Sequence, residues 1–519
     1  MVEWLKNAVF YEIYPQSFAD TNADGIGDIQ GIIDHLDYIA ELGCNAIWLN
    51  PCFESPFLDA GYDVSDYMKV APRYGTNADL KRLFDEIHKR DMHVLLDLVP
   101  GHTSWEHEWF KESLKPEKNS CSGRYVWTDD AWTEFEGDEN IRGFLRGMSQ
   151  RNGCVAVNFY AHQPCLNYGC YKVENPHWQQ PMDSEDALAT REAIKDVMRF
   201  WLKMGCDGFR VDMAGSLVKN DPEQEGTIAL WSDFRDFLDK EFPEAAMISE
   251  WGQPDRSLRS GYHMDFMLHF GPSHYTDLYH ADNPYFSREG KGNAKAFIDY
   301  YKKCYEPTNG RGMICMPSGN HDMERLTNWL DDEEVKIVFA FILSLPGAPF
   351  IYYGDEIGMR YLKDVVSVEG GYIRTGSRSP MQWNGGLNAG FSEAKADELY
   401  IPIDPDENRP TAENQMKDPN SVYHEVKKLI GIRQATKVLQ SEAKVEFVYC
   451  EENAYPLAYR RFNDEESVLI VVNPSGKDAS FAYDGKLGEV IYQNGKDAVL
   501  ENGVLTIPGA TALFVREVR

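Results

Sequence analysis

Three carboxylates stand at the ends of short apolar runs. Asp212 follows Gly208-Phe209-Arg210-Val211, Glu250 follows Met247-Ile248-Ser249, and Asp322 follows Asn320-His321. Two carboxyl groups held about 5–5.5 Å apart can cleave an acetal linkage with retention, one attacking carbon and the other donating and later accepting a proton. On a parallel barrel such groups sit at the C-terminal ends of different strands. Residue type alone does not separate these acids from other strand-end acids, which more often cap the next helix. A further pattern, Asp20-x-Asn22-x-Asp24-Gly25-Ile26-x-Asp28, places oxygen ligands at alternate positions with glycine at the turn. That is the ligand logic of an EF-hand loop without its helices, and it reads either as a structural calcium site or as a solvated Asx-rich turn.

The elements that must position these groups follow from periodicity. Short β-rich runs recur at Val9–Pro15, Asn45–Pro51, His93–Val99, Gly208–Asp212, Met247–Glu250, Met264–His269, Met313–Met316 and Pro349–Tyr353. Amphipathic helical stretches fall between them at Asp79–Arg90, Thr190–Met204, Leu230–Phe242 and Glu333–Leu345. Strands alternating with helices call for a parallel sheet, and this many suggest closure into a (β/α)8 barrel. After the third run, the stretch 103–181 is too long for an ordinary βα loop and reads as an inserted subdomain. The expected order is barrel at 1–102, insert at 103–181, barrel again at 182–440, and a C-terminal antiparallel β-sandwich at 441–519.

Composition narrows the functions. The formal net charge of −31 argues against nucleic acid and anionic membrane surfaces, which attract Lys/Arg patches. Hydrophobic residues at 43% and charged residues at 26% suit a folded, water-soluble chain with a large core. The longest apolar stretch, from Ile337 to Tyr353, is broken by Pro346-Gly347 and Pro349 and is too short to span a bilayer. The N-terminal segment lacks the pattern of a secretion signal, so the ten cysteines read as reduced core thiols of a cytoplasmic protein. Cys121, Cys154, Cys165 and Cys170 cluster without the paired spacing of a zinc site.

Taken together in order, the strand-end segments resemble the signature regions of glycoside hydrolase family 13, the α-amylase family. Asp97-Leu98-Val99-Pro100-Gly101-His102 resembles the first region, Gly208–Asp212 the second, Ser249-Glu250-Trp251 the third and Ser318-Gly319-Asn320-His321-Asp322 the fourth. Gly43–Pro51, Gln163-Pro164-Cys165-Leu166-Asn167 and Gly347–Met359 support the match. The resemblance implies that Asp212 is the nucleophile, Glu250 the general acid/base and Asp322 a transition-state stabiliser. Arg210 would keep the nucleophile ionised, because a nearby cation favours a carboxylate. His102 and His321 would donate to the reacting sugar, and Tyr62 would supply an apolar platform beneath it. Gly101 stands where the family's first region usually has an Asn that ligates calcium, which puts that interdomain ion in doubt.

The segments Tyr11–Phe18 and Arg378-Ser379-Pro380-Met381-Gln382-Trp383 resemble the oligo-1,6-glucosidase, α-glucosidase and trehalose synthase branch. In that branch Asp63 and Arg378 would close the pocket on one terminal sugar, implying exo-action on short oligosaccharides. The branch also carries calcium or magnesium at a loop like Asp20–Asp28. Met213 matches neither the Val nor the Thr associated with linkage preference, so α-1,4 and α-1,6 bonds both stay open. The reading is a retaining α-glucosidase acting on a small oligosaccharide, with a structural calcium ion and no organic cofactor. A sugar isomerase or transglucosylase and an endo-acting amylase are the alternatives.

Overall fold

The structure, a computed structural model, describes residues 2–133, 140–147, 149–308 and 310–518. Eight parallel strands close into a barrel: β1 (Phe10–Ile13), β2 (Ala46–Leu49), β3 (His93–Leu98), β4 (Gly208–Val211), β5 (Ala246–Ser249), β6 (Met264–Phe266), β7 (Met313–Pro317) and β8 (Pro349–Tyr352). Each lies inside or within a residue or two of an apolar run read from the sequence, although the sixth, read as Met264–His269, stops at Phe266. Pairing of Phe10 with Phe350 closes the ring between β1 and β8. Short helices α1 (Ile29–Asp34) and α2 (Leu36–Leu42) are followed by α3 (Asn77–His88), α4 (Glu185–Met204), α5 (Glu225–Glu241), α6 (Lys295–Tyr305), α7 (Asp332–Ser344) and α8 (Val422–Ala435).

Strand periodicity of two decides which side chains reach the barrel interior. Phe10, Ala46, Trp48, Leu95, Ile248, Phe266 and Phe350 fill it as one apolar cluster. Phe10 stacks on Phe350 with centroids 4.2 Å apart, and Phe266 meets Phe350 edge-on at 4.7 Å. Trimming such an interior aromatic to alanine costs about 3–5 kcal/mol. The alternate residues, among them Ile47, Leu96, Val211 and Met247, face the helices and join the larger outer core. One step beyond Trp48 or Leu95 the interior turns polar, at Asn50 and Asp97, and the polar residues gather at the C-terminal rim.

The segment between β3 and α4 carries a short helix, Glu108–Ser113, and a hairpin pairing Gly143–Leu145 with Val155–Val157. It packs at the C-terminal rim through an isolated bridge between His102 and Cys165. All ten cysteines are free thiols. No helix of the described residues is long and apolar enough to cross a membrane.

The C-terminal part is a sandwich of two antiparallel sheets. One contains β9 (Lys444–Tyr449), β10 (Leu457–Phe462), β11 (Ser467–Asn473), β13 (Lys486–Asn494) and β16 (Thr511–Val518), and the other β12 (Ala479–Ala482), β14 (Val499–Glu501) and β15 (Val504–Ile507). Leu469, Val471, Phe481, Leu505, Ile507 and Leu513 fill the space between them. The junction with the barrel is built on α7. Asp331 and Glu334 form a capping box at its N-terminus. At its other end two fully buried arginines take up the carbonyls that a helix leaves unpaired. Arg433 donates to the carbonyls of Leu343, Leu345 and Gly347, and Arg461 to those of Ser344, Leu439 and Gln440.

Candidate active site

A cavity of about 580 Å³ opens at the C-terminal rim of the barrel, lined on one side by Asp59, Tyr62, His102, Asp212, Asp322 and Arg374 and reaching Glu250. Its floor is organised by one guanidinium. Because side chains alternate along β4, Arg210 and Asp212 share the interior face. Arg210 Nη1 donates to Asp97 Oδ1 at 2.8 Å and to Asp212 Oδ1 at 3.1 Å. Its Nη2 reaches Glu250 Oε2 at 2.8 Å. The backbone N–H of Met213 donates to the same Glu250 oxygen at 3.0 Å. That N–H is aimed by a left-handed backbone at Met213, φ 44°, a conformation costly for a side chain with a Cβ and typical of functional sites.

One cation therefore faces three carboxyls, of which Asp97 and Asp212 are buried. Burial pushes the Asp212 carboxyl well above the usual range; Glu250 and Asp97 add to this, while Arg210 opposes it. Asp97 is likewise pushed up, to about 6, mainly by burial. Arg210 thus acts on Asp212 in the expected direction, lowering it against burial, while its charge is shared among three acids.

Asp322 lies in the opposite field. Arg374 Nη1 donates to Asp322 Oδ1 at 2.7 Å and Arg378 Nη2 to the same oxygen at 2.8 Å. Burial would raise this acid, but His321 and the guanidiniums of Arg374 and Arg378 outweigh it and hold Asp322 far below the usual carboxylate range. Burial in turn pushes His321 well below its usual range, against the attraction of Asp322.

The remaining residues expected from sequence divide into two layers. Tyr62 and His102 line the cavity. Arg210, His321, Asp63 and Arg378 do not: they stand behind the lining. His321 is clamped, Nδ1 to Glu12 Oε1 at 2.8 Å and Nε2 to the Tyr62 hydroxyl at 2.7 Å, with its ring stacked on Tyr62. His102 uses both ring nitrogens within the protein. Nε2 meets the Tyr62 carbonyl at 3.0 Å and Nδ1 the Asn158 amide at 3.0 Å, and burial pushes its pKa down to about 3. Asn158 fits there because a Cβ at Gly101 would come within 2.5 Å of its Nδ2.

The pair expected to close the pocket, Asp63 and Arg378, is displaced by its neighbours. Asp63 folds its own turn, accepting from the Ser55 hydroxyl and from the backbone N–H groups of Leu58 and Asp59. Arg378 is 1% exposed and donates through Nε to the His321 carbonyl. The lining positions fall to Asp59 and Arg374, each four residues earlier, whose side chains approach to 3.7 Å. The insert holds both. Gln163 Nε2 donates to Asp59 Oδ2 at 2.7 Å, and the Tyr160 hydroxyl lies 3.2 Å from Arg374 Nη2 while donating to the Gly370 carbonyl. Sequence reasoning missed Asp59, Arg374, Tyr160 and Glu12 as site residues; the signal available for Asp59 was its place beside Gly61-Tyr62-Asp63, and Glu12 lies within the segment Tyr11–Phe18 already singled out.

The Asp20–Asp28 loop is folded by its own carboxylates and amide. Asp20 accepts from the backbone N–H groups of Asn22, Ala23 and Gly25; Asn22 accepts from Asp24; Asp24 accepts from Ile26; and Asp28 accepts from Thr21 and caps α1 at Gly31. Each carboxylate oxygen keeps further lone pairs, and an all-oxygen donor set suits a hard cation. No group of three acidic, His or Cys side chains converges as a metal site among the described residues.

Comparison with known proteins places this arrangement. Residues 12–442 match the α-amylase catalytic domain family. The chain is 30% identical to the oligo-1,6-glucosidase of Parageobacillus thermoglucosidasius, covering 96% of this chain and 94% of that one. It is 33% identical to the trehalose synthase/amylase TreS of Mycobacterium tuberculosis, over 77% of this chain and 69% of that one. The crystal structure of the trehalulose synthase from Pseudomonas mesoacidophila MX-45 superposes with a TM-score of 0.81 at 26% identity, covering 99% or more of both. With its closed barrel, its insert after β3 and its carboxyls at the strand ends, the chain belongs to the α-amylase family of glycoside hydrolases.

Proposed function

We propose that the protein is a retaining, exo-acting α-glucosidase that releases glucose from short α-linked gluco-oligosaccharides. The observation that carries this reading is the single guanidinium of Arg210 touching both Asp212 and Glu250, on the floor of a pocket whose far side is lined by Asp59, Asp322 and Arg374. An Asp212 oxygen attacks the anomeric carbon while Glu250 protonates the departing glycosidic oxygen, giving a glucosyl ester and a free sugar. Glu250, now a carboxylate, takes a proton from water, whose oxygen attacks the same carbon and frees Asp212. The two donors on Glu250 converge on Oε2, which leaves Oε1 for the transferable proton. Asp322, kept anionic by Arg374 and Arg378, supports the positive charge that builds on the sugar ring. Asp59 and Arg374 engage the terminal hydroxyls and limit the pocket to one sugar beyond the cleaved bond.

A second reading, transfer of the glucosyl group to a sugar hydroxyl, is favoured by the likeness to a trehalulose synthase and to TreS. Time-resolved NMR of the products from maltose, isomaltose and sucrose decides between them. Glucose released first as the α-anomer supports the hydrolase, and isomerised or lengthened sugars support the transferase. Calcium at Asp20, Asn22, Asp24, the Ile26 carbonyl and Asp28 is proposed as a structural ion that rigidifies the loop after β1 and takes no part in the chemistry.

A further inference from the structure

Beyond Glu250 the cavity continues along a second wall made by Met213, Gly215, Ser216, Gln224, Trp251 and Gln253. Trp251 follows Glu250 directly in the chain, so this wall borders the group assigned to protonate the leaving oxygen. The indole is 6% exposed and lies close against the loop after β4: a Cβ at Gly215 would come within 2.7 Å of Trp251 Nε1.

Gln224 locks this wall. Its Oε1 accepts from Trp251 Nε1 at 2.9 Å and from Arg256 Nη1 at 2.9 Å. Indole and guanidinium nitrogens are donors only, so the amide has one possible orientation. That orientation commits Nε2 to donating. Within the protein it has a single long contact, 3.4 Å to the Gly215 carbonyl, which leaves donor capacity at the cavity wall. The backbone at Gln224 is itself left-handed, φ 58°, and its N–H is held by the Asp221 carbonyl at 2.9 Å. A side chain fixed from three sides with an under-used N–H₂ is preorganised for a hydroxyl acceptor.

We propose that Gln224 recognises the sugar on the leaving-group side of the scissile bond, its Nε2 donating to a hydroxyl of that second hexose beside the Trp251 edge. The inference rests on the glucosidase reading, because that reading puts the leaving sugar next to Glu250. Gln224 is thus a specificity-determining residue for the aglycone.

Two substrates separate the possibilities. A disaccharide fills this side of the cavity, whereas α-glucosyl fluoride has a leaving group too small to reach it. Gln224→Glu keeps an acceptor for Trp251 and Arg256 and removes the donor. The ratio of kcat/KM on isomaltose or maltose to that on α-glucosyl fluoride is expected to fall about tenfold, the worth of one well-placed hydrogen bond. Gln224→Ala should lower the same ratio at least as far. Equal losses on fluoride and disaccharide would mean a merely structural role and overturn the proposal, as would an unchanged ratio in both variants. Failure of the unmodified protein to turn over α-glucosyl fluoride would instead remove the glucosidase reading, and this inference with it.

Discussion

Arg374 and Arg378, one helical turn apart in sequence, place Nη1 and Nη2 respectively on the same oxygen of Asp322, at 2.7 and 2.8 Å. Only Arg374 of the two also lines the cavity. One arginine therefore serves the carboxylate from behind while the other stands beside it at the cavity wall.

Arg374→Met should raise KM for disaccharides by about tenfold to a hundredfold, the range expected for a lost charge-assisted hydrogen bond. Asp322 keeps Arg378 and stays anionic, so the loss falls on substrate binding more than on kcat. Initial rates measured over a range of disaccharide concentrations check the split.

Asp212→Asn and Glu250→Gln should each reduce kcat by at least about a thousandfold, the scale of removing a catalytic acid or nucleophile. Both replacements are isosteric, and each relieves a carboxyl-rich cluster that shares one guanidinium. Melting temperatures at or above that of the unmodified protein are therefore expected. A mutant that keeps full turnover would overturn the assignment.

Glu356 gives a pH-dependent stability. Burial pushes its carboxyl up to about 7, against the opposing hydrogen bonds from the hydroxyls of Tyr11 and Tyr38. The folded protein thus holds this proton more tightly than the unfolded chain does. The associated stability is complete below about pH 4 and is lost as pH rises through about 7. Glu356→Gln keeps the acceptor for both tyrosines and should flatten the fall of Tm between about pH 5 and 8, measured by scanning calorimetry.

Calcium added to metal-stripped protein should raise Tm by several degrees, since an ion bound only by the folded state at about a hundred times its Kd adds about 2.7 kcal/mol. Asp24→Ala should abolish the shift and leave the chemistry on α-glucosyl fluoride intact. An unchanged Tm on adding calcium would exclude a structural ion.

The barrel was legible because eight apolar runs alternate with amphipathic helices, and local patterning reports that directly. The three candidate carboxyls were legible because each sits in a compact motif at or beyond a strand end, and the structure brings them to one rim of the barrel. What the sequence hid is which of two like residues, four apart, turns inward. Asp59 and Asp63 flank the same turn, and Asp63 is consumed by three bonds that fold it. Arg374 and Arg378 belong to one 3-10 segment, and only the packing of Arg378 beneath the His321 carbonyl sends Arg374 to the cavity. His102 shows the same limit: its tautomer and partners depend on Asn158, a residue 56 positions away.

The grip of Arg433 and Arg461 on the end of α7 bears on how the molecule comes apart. Neither guanidinium has a carboxylate partner among the contacts that hold it; Arg433 donates to carbonyls of the barrel alone, whereas Arg461, on a strand of the sandwich, donates to carbonyls of the barrel. Pulling the two lobes apart would break the bonds of Arg461 to the Ser344, Leu439 and Gln440 carbonyls in one step, so the sandwich does not leave the barrel at small cost. Calorimetry should record a single transition, and Arg461→Met should split it into two. The sandwich is then less an appended module than the keystone of the barrel's last helices.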